Sequence, residues 1–223
     1  MECKDQGSLG GISKGDLVRR HGNGPKGGSL VSLYVRKVAA MILGAVLAGG
    51  LSSRFGSDKA LAEFQGHSLI ALAVDTLSGW CEKVVVVGRE TAPAQTLPDW
   101  PRPGMGPLGG LAAALHAALD EGYDTVLTCG VDAVFLPDDL PSLLGAAPAC
   151  LAQQPVIGIW PSAAAATLEA LLHSEERHSM RHFAEKVGAR FVEIPQQVAN
   201  VNTPGDLDAL QHRLSRDPRF AGG

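Results

Sequence analysis

Leu47-Ala48-Gly49-Gly50-Leu51-Ser52-Ser53-Arg54-Phe55-Gly56-Ser57-Asp58-Lys59-Ala60 is the stretch from which the rest of the chain can be read. Met41–Ala48 leads into it as a short apolar run, the length of a strand buried on both faces. The run stops at Gly49-Gly50, where the chain can turn sharply and bring bare backbone against a ligand. Successive N–H groups in such a turn form a concavity for anions, and Arg54 and Lys59 add two cations within the same loop. Phosphate matches that combination. A Walker A loop is excluded by spacing, because five residues separate Gly50 from Gly56 and Ser57-Asp58 precede Lys59.

The bulk of the chain narrows the classes. Its 223 residues suit one domain with a substantial core. Apolar content of 45% and charged content of 19% are those of an ordinary globular protein. A net charge of −4 gives no electrostatic case for nucleic acid. Cys3, Cys81, Cys129 and Cys150 form no C-x-x-C pair, which indicates neither a zinc site nor a disulfide framework and fits a reducing cytoplasm. Residues 1–40 are rich in Gly and basic side chains and lack periodicity, so they read as a flexible extension. Arg36-Lys37 before the apolar run Val38–Leu51 imitates a signal peptide, but the run merges into the glycine loop, which cleavage would destroy. The run is also shorter than the ~20 residues of a membrane span.

Beyond the loop, strand and helix alternate. Glu63–His67 is a turn, and Leu69, Ile70, Leu72, Ala73, Thr76 and Leu77 follow at helical spacing after Ser68. Lys83–Gly88 predicts a second buried strand, Leu108–Leu119 a helix ending near Gly122, and Asp124–Cys129 a third strand. Pro137–Leu140 opens another helix, and His173, His178 and His182 fall on one further on, with His178 and His182 four apart but no acid to complete a metal motif. The pattern is that of an α/β fold with a mainly parallel sheet. Ligands bind such sheets outside the carboxyl ends of the strands. The loop after strand one, the segment 99–110 and the residues after strand three all fall there. Gly104-Met105-Gly106-Pro107-Leu108-Gly109 is formally a G-x-G-x-x-G, but Pro98, Pro101 and Pro103 stand where its strand should be.

Four strings together resemble the molybdenum cofactor guanylyltransferases (MobA) of the nucleotidyltransferase superfamily. The first is Leu47–Ala60, against the family's Leu-Ala-Gly-Gly-x-Ser-x-Arg-Met/Phe-Gly-x-Asp-Lys-Ala. The second is Arg102–Gly109, with Asp99 at the spacing of a nucleotide-contacting aspartate. The third is Cys129–Pro137, where aligning Phe135-Leu136-Pro137 puts Asp132 on the metal-binding aspartate. The fourth is Asn200-Val201-Asn202-Thr203-Pro204-Gly205-Asp206-Leu207, in which Thr203 can also cap a helix with Pro204 at its first position. Three positions depart from the pattern: Val131, Val134 and Gln154, the last replacing a histidine before the strand ending at Trp160.

The resemblance implies a Rossmann-like three-layer sandwich of the nucleotide-diphospho-sugar transferase type over 41–214, with Met41 as the natural start and 215–223 as a tail. It implies transfer of GMP from GTP to the terminal phosphate of (Mo-)molybdopterin, giving the guanine dinucleotide and pyrophosphate. Lys59, Arg54 and Asp132 would be catalytic, with Asp132 on Mg²⁺. Leu47, Ala48, Gly49, Gly50, Lys59, Asp99 and Asp132 would bind nucleotide, and Asn200 and Asn202 the pterin. Other molybdenum cofactor proteins or recipient molybdoenzymes are the candidate partners, with neither nucleic acid nor membrane. The related CTP enzymes carry Leu-Ala-Ala-Gly where this chain has Leu47-Ala48-Gly49-Gly50, so the double glycine favours GTP. A cytidylyltransferase, another NTP nucleotidyltransferase and, on the three departures, a non-catalytic GTP-binding paralogue are the alternatives.

Overall fold

The computed structural model describes residues 40–49, 58–195 and 198–214. The glycine loop from Gly50 to Ser57, including Arg54, lies outside them, as do 1–39 and the tail. In chain order the strands and helices begin with β1 (Ile42–Leu47), the short hairpin β2 (Glu63–Phe64) and β3 (His67–Ser68), and α1 (Leu69–Ser78). Next come β4 (Lys83–Val87), β5 (Gln95–Leu97), α2 (Gly106–Glu121), β6 (Thr125–Gly130) and β7 (Ala133–Val134). Then follow α3 (Leu140–Leu144), β8 (Ala149–Leu151), β9 (Gly158–Pro161), α4 (Ala165–Leu172) and α5 (Met180–Lys186). The chain closes with β10 (Arg190–Val192), β11 (Ala199–Asn200) and α6 (Pro204–Leu214).

Local chemistry sets the boundaries. Gln65 and Gly66, at φ of 49° and 80°, make the tight turn of the β2–β3 hairpin. Ser68 caps α1 by accepting from the Ala71 N–H at 3.3 Å. Pro107 sits in the first turn of α2, where its missing N–H costs nothing, and Gly122 ends that helix in the left-handed region.

The central sheet has seven strands in the order β10-β8-β9-β6-β1-β4-β5. β1 is its axis, parallel to β4 on one side and to β6 on the other. Alternation along these strands divides the core. Leu43, Ala45, Val85 and Val87 face Leu111, Leu115, Leu168 and Phe183 of α2, α4 and α5. Val46, Val84 and Val86 face Ile70, Ala73, Leu77, Leu140 and Leu144 of α1 and α3. Strands covered on both faces explain the unbroken apolar runs, and the result is the expected three-layer α/β sandwich.

The sheet is mainly parallel, as expected, with β9 running antiparallel to both β6 and β8. One expectation needs correcting: the three histidines do not share a helix. His173 caps α4, His178 lies in the connection that follows, and only His182 is in α5. There His182 Nε2 lies 2.8 Å from Glu176 Oε2, while His178 Nε2 bonds the Ser174 carbonyl. Among the described residues no helix is long and apolar enough to cross a membrane. Cys81, Cys129 and Cys150 are unpaired, and burial pushes the Cys129 thiol up to about 12.

β6 is tied to β9 by a buried polar relay. The Trp160 indole N–H donates to Thr128 Oγ1 at 3.0 Å, and that hydroxyl donates to the Val156 carbonyl at 2.7 Å. Thr128→Val keeps the shape but strands the indole N–H in the core. We expect it to lower unfolding free energy by about 1–3 kcal/mol, read from urea denaturation; an unchanged midpoint would show that the relay does not hold the seam.

Candidate active site

The order β4-β1-β6 makes the seam between β1 and β6 the switch point of the sheet. From β1 the chain first goes to β4 and β5 on one side, then returns to β6 on the other. Side chains from three distant segments meet at the carboxyl end of that seam, where such folds bind ligands. Lys59 Nζ lies 3.3 Å from Asp132 Oδ2 and 3.2 Å from Asn202 Oδ1. The lysine side chain is 12% exposed and that of Asp132 35%, so the pair borders solvent without being immersed in it.

Each member is placed by its own local structure. Lys59 opens a 3-10 turn, Lys59–Leu61, capped by Asp58, whose Oδ1 accepts from the Ala60 N–H at 3.2 Å. Asp132 follows β6, and a Cβ on Gly130 would fall 2.4 Å from its Oδ1. A glycine there lets the carboxylate fold back against the strand end. β7 then pairs antiparallel with β11, and the Val201 N–H donates to the Asp132 carbonyl at 3.2 Å, so the asparagine segment is docked onto the aspartate loop.

Asn202 is in turn set by the start of α6. Thr203 Oγ1 accepts from the Asp206 N–H at 3.2 Å, while Asp206 Oδ2 accepts from the N–H groups of Asn202 at 2.9 Å and Thr203 at 2.8 Å. This is a reciprocal capping arrangement, and the Asn202 N–H, with Thr203 and others, holds the Asp206 carboxyl below its ordinary range. Asn200 is exposed in β11, opposite Ala133. Gln154, one of the departures, donates from Nε2 to the Val198 carbonyl at 3.2 Å and so anchors the approach to β11.

A second group gathers where β1 and β4 end. The Ala48 N–H donates to the Val87 carbonyl at 2.9 Å, continuing the β1–β4 pairing past Leu47. Beyond it the two backbones touch, since a Cβ on Gly88 would fall 2.5 Å from Gly49 Cα. Asp99 lies against this contact, its carboxylate oxygens 3.4 Å from where a Gly49 Cβ would stand. Burial raises the Asp99 pKa, opposed by the Gly104 N–H, which reaches its Oδ2 at 3.4 Å. The Trp100 N–H bonds the Gly109 carbonyl at 3.1 Å, fixing the proline-rich segment to α2.

Thus Lys59, Asp132 and Asn202 are brought into contact, and Leu47, Ala48, Gly49 and Asp99 line the adjoining strand end. Gly50 and Arg54 are outside the described residues. One pair escaped the sequence reading. Arg89 Nη1 donates to Asp58 Oδ1 at 2.9 Å, its Nη2 engages Asp58 Oδ2, and this guanidinium holds the Asp58 carboxyl below its usual range. The only signal in the sequence was an arginine directly after the glycine that ends a buried strand.

Residues 44–192 match the MobA-like NTP transferase domain family. A molybdenum cofactor guanylyltransferase of Acidiphilium cryptum is 35% identical over 181 residues, spanning 74% of this chain and 92% of that protein. One of Rhodobacter capsulatus is 33% identical over 187 residues, 79% of this chain and 98% of the relative. In three dimensions the chain resembles molybdopterin-guanine dinucleotide biosynthesis protein A of Archaeoglobus fulgidus, with a TM-score of 0.63 at 20% identity, over 78% of this chain and all of that one.

Proposed function

The chain belongs to the MobA-like NTP transferase domain family, and on that premise we propose that it transfers GMP from GTP to the terminal phosphate of (Mo-)molybdopterin. The observation that carries this reading is the meeting of Lys59, Asp132 and Asn202 within 3.3 Å at the β1–β6 switch point. A terminal phosphate oxygen of the pterin substrate forms the new bond to the α-phosphorus of GTP. The α–β bridging bond breaks, and its electron pair leaves with pyrophosphate. The substrate supplies the nucleophile, so the protein's task is alignment and charge neutralisation.

Lys59 serves the negative charge that grows on the triphosphate and the departing pyrophosphate, with Arg54 assisting. The backbone of Leu47, Ala48, Gly49 and Gly50 takes the guanosine, with Asp99 beside it, and Asn200 and Asn202 orient the pterin. Mg²⁺ typically uses one or two protein carboxylates and completes its shell with water and phosphate oxygens. A single half-exposed carboxylate at Asp132 fits that pattern, and among the described residues no larger cluster of acids, histidines or cysteines competes. Asp132 would hold the ion, which when bound supplies further neutralisation of the phosphates. The reading places the enzyme in the cytoplasm, handing its product to molybdoenzymes, with residues 41–214 forming the working domain.

Pyrophosphate release from GTP and from CTP, with Mg²⁺ and a molybdopterin acceptor, tests the proposal. Turnover with GTP is expected. Preference for CTP would overturn the base assignment, and GTP binding without turnover would favour the non-catalytic paralogue.

Asp99 offers a check that separates binding from stability. Its raised pKa means that ionisation costs the folded state. That cost is absent below the ordinary value of about 3.9 and fully present above the raised one. Asp99→Asn is therefore expected to raise Tm at neutral pH, with the gain shrinking as pH falls, while weakening GTP binding. A variant that bound GTP normally would remove Asp99 from the nucleotide site.

A further inference from the structure

We propose that Arg89 is a positioning residue that sets the catalytic lysine through Asp58. Arg89 stands two residues past β4, a strand with Val84–Val87 buried, and so projects from one of the firmest parts of the sheet. Its guanidinium meets the Asp58 carboxylate fork to fork, Nη1 on Oδ1 at 2.9 Å and Nη2 on Oδ2. A bidentate pair of this kind fixes orientation as well as distance.

Asp58 is not an ordinary surface acid. The same Oδ1 accepts from the Ala60 N–H, and the Asp58 carbonyl accepts from the Leu61 N–H at 3.0 Å. The two acceptors define the single 3-10 turn from which Lys59 reaches Asp132 and Asn202. That turn has only three residues, and packing anchors it through Ala60, which is buried, while Leu61 is 59% exposed. Arg89 ties the turn's capping residue to the end of β4. The pair itself is partly exposed, 20% at Arg89 and 38% at Asp58, where an ion pair adds little to global stability. Its effect is geometric. The arginine is also neutralised by Asp58, which leaves Lys59, among the described residues, as the cation directed at Asp132.

This inference rests on the reading of Lys59 as the phosphate-facing cation, and the experiment separates the two. Arg89→Gln, Arg89→Lys, Asp58→Asn, the Arg89→Gln/Asp58→Asn double variant and Lys59→Ala are compared in the full chain. The readouts are GTP-dependent pyrophosphate release, KM for GTP and Tm. Misplacing a catalytic group by an ångström can cost about 100-fold. Arg89→Gln and Asp58→Asn are each expected to lower kcat by about tenfold or more, with Tm nearly unchanged. The double variant should be no worse than the poorer single one, and Arg89→Lys, lacking the fork, should recover only part of the rate.

Losses that multiply in the double variant would mean that Arg89 acts on the substrate itself, and would overturn the proposal. So would full activity in Arg89→Gln while Lys59→Ala is inactive, or a loss explained by unfolding alone. Full activity in Lys59→Ala would instead defeat the reading of Lys59.

Discussion

Asp132→Ala should reduce GTP-dependent pyrophosphate release by about 10²–10³-fold, the scale for losing one preorganised group that stabilises developing charge. The expectation follows from how few charged groups the described part of the site contains. Lys59 and Asp132 neutralise each other at 3.3 Å, and Asn202 adds a neutral acceptor to the lysine. Without the carboxylate, the site loses its candidate ligand for a divalent ion, and Lys59 loses the partner that directs it toward the β6 end. The same pair should contribute little to folding. Asp132 is 35% exposed, and ion pairs bordering solvent contribute roughly 0–1 kcal/mol. Activity and stability are thus expected to separate, with a large fall in kcat and a Tm close to that of the parent. Asp132→Asn sharpens the test, since it keeps the size and an oxygen for Lys59 but removes the charge. If charge is what matters, the asparagine variant will be nearly as poor as the alanine one. Wild-type turnover in Asp132→Asn would reduce the aspartate to a hydrogen-bonding spacer, and the proposed metal role would fall.

Much of the candidate site was legible because its residues are carried by short strings. The buried strands announced themselves as Val-rich runs, since Val84–Val87 alternate between two helical layers and neither face tolerates a polar residue. Thr203-Pro204 could be placed at a helix start because a cap and its helix lie within a few residues of each other. What escaped is non-local. β9 reverses direction, and nothing in Gly158–Pro161 encodes the strand it will join; its direction is fixed by pairing with β6 and β8. The histidines were spaced like a helix face, yet the chain breaks helix α4 at His173 before α5 begins. The Arg89–Asp58 bond joins positions 31 apart, and an arginine after a strand looks the same in sequence whether it is bare or paired.

Gly88 carries the second large effect, at the strand end proposed to take the nucleotide. Its φ of 86° lies where side chains with a Cβ are strained by about 1–2 kcal/mol. Strain is only part of the cost. A Cβ on Gly88 would fall 2.5 Å from Gly49 Cα and 2.8 Å from its nitrogen, and 3.2 Å from Asp99 Oδ1. The first two atoms are backbone and cannot swing aside, so the ends of β1 and β4 must part. Overpacking of this kind adds about 1–3 kcal/mol, and Gly88→Ala should therefore destabilise the protein by roughly 2–5 kcal/mol. Gly122 provides the control. Its φ of 80° is nearly the same, but a Cβ there meets nothing within 4 Å, so Gly122→Ala should cost only the backbone strain. The two variants should also differ in function. Parting β1 from β4 moves Gly49 away from Asp99, and Gly88→Ala should weaken GTP binding even where the protein is fully folded, whereas Gly122→Ala should bind normally. Urea denaturation and GTP titration calorimetry on both variants decide the matter. Equal destabilisation of the two, with GTP affinity unchanged in both, would mean that the Gly49–Gly88 contact is incidental to the site.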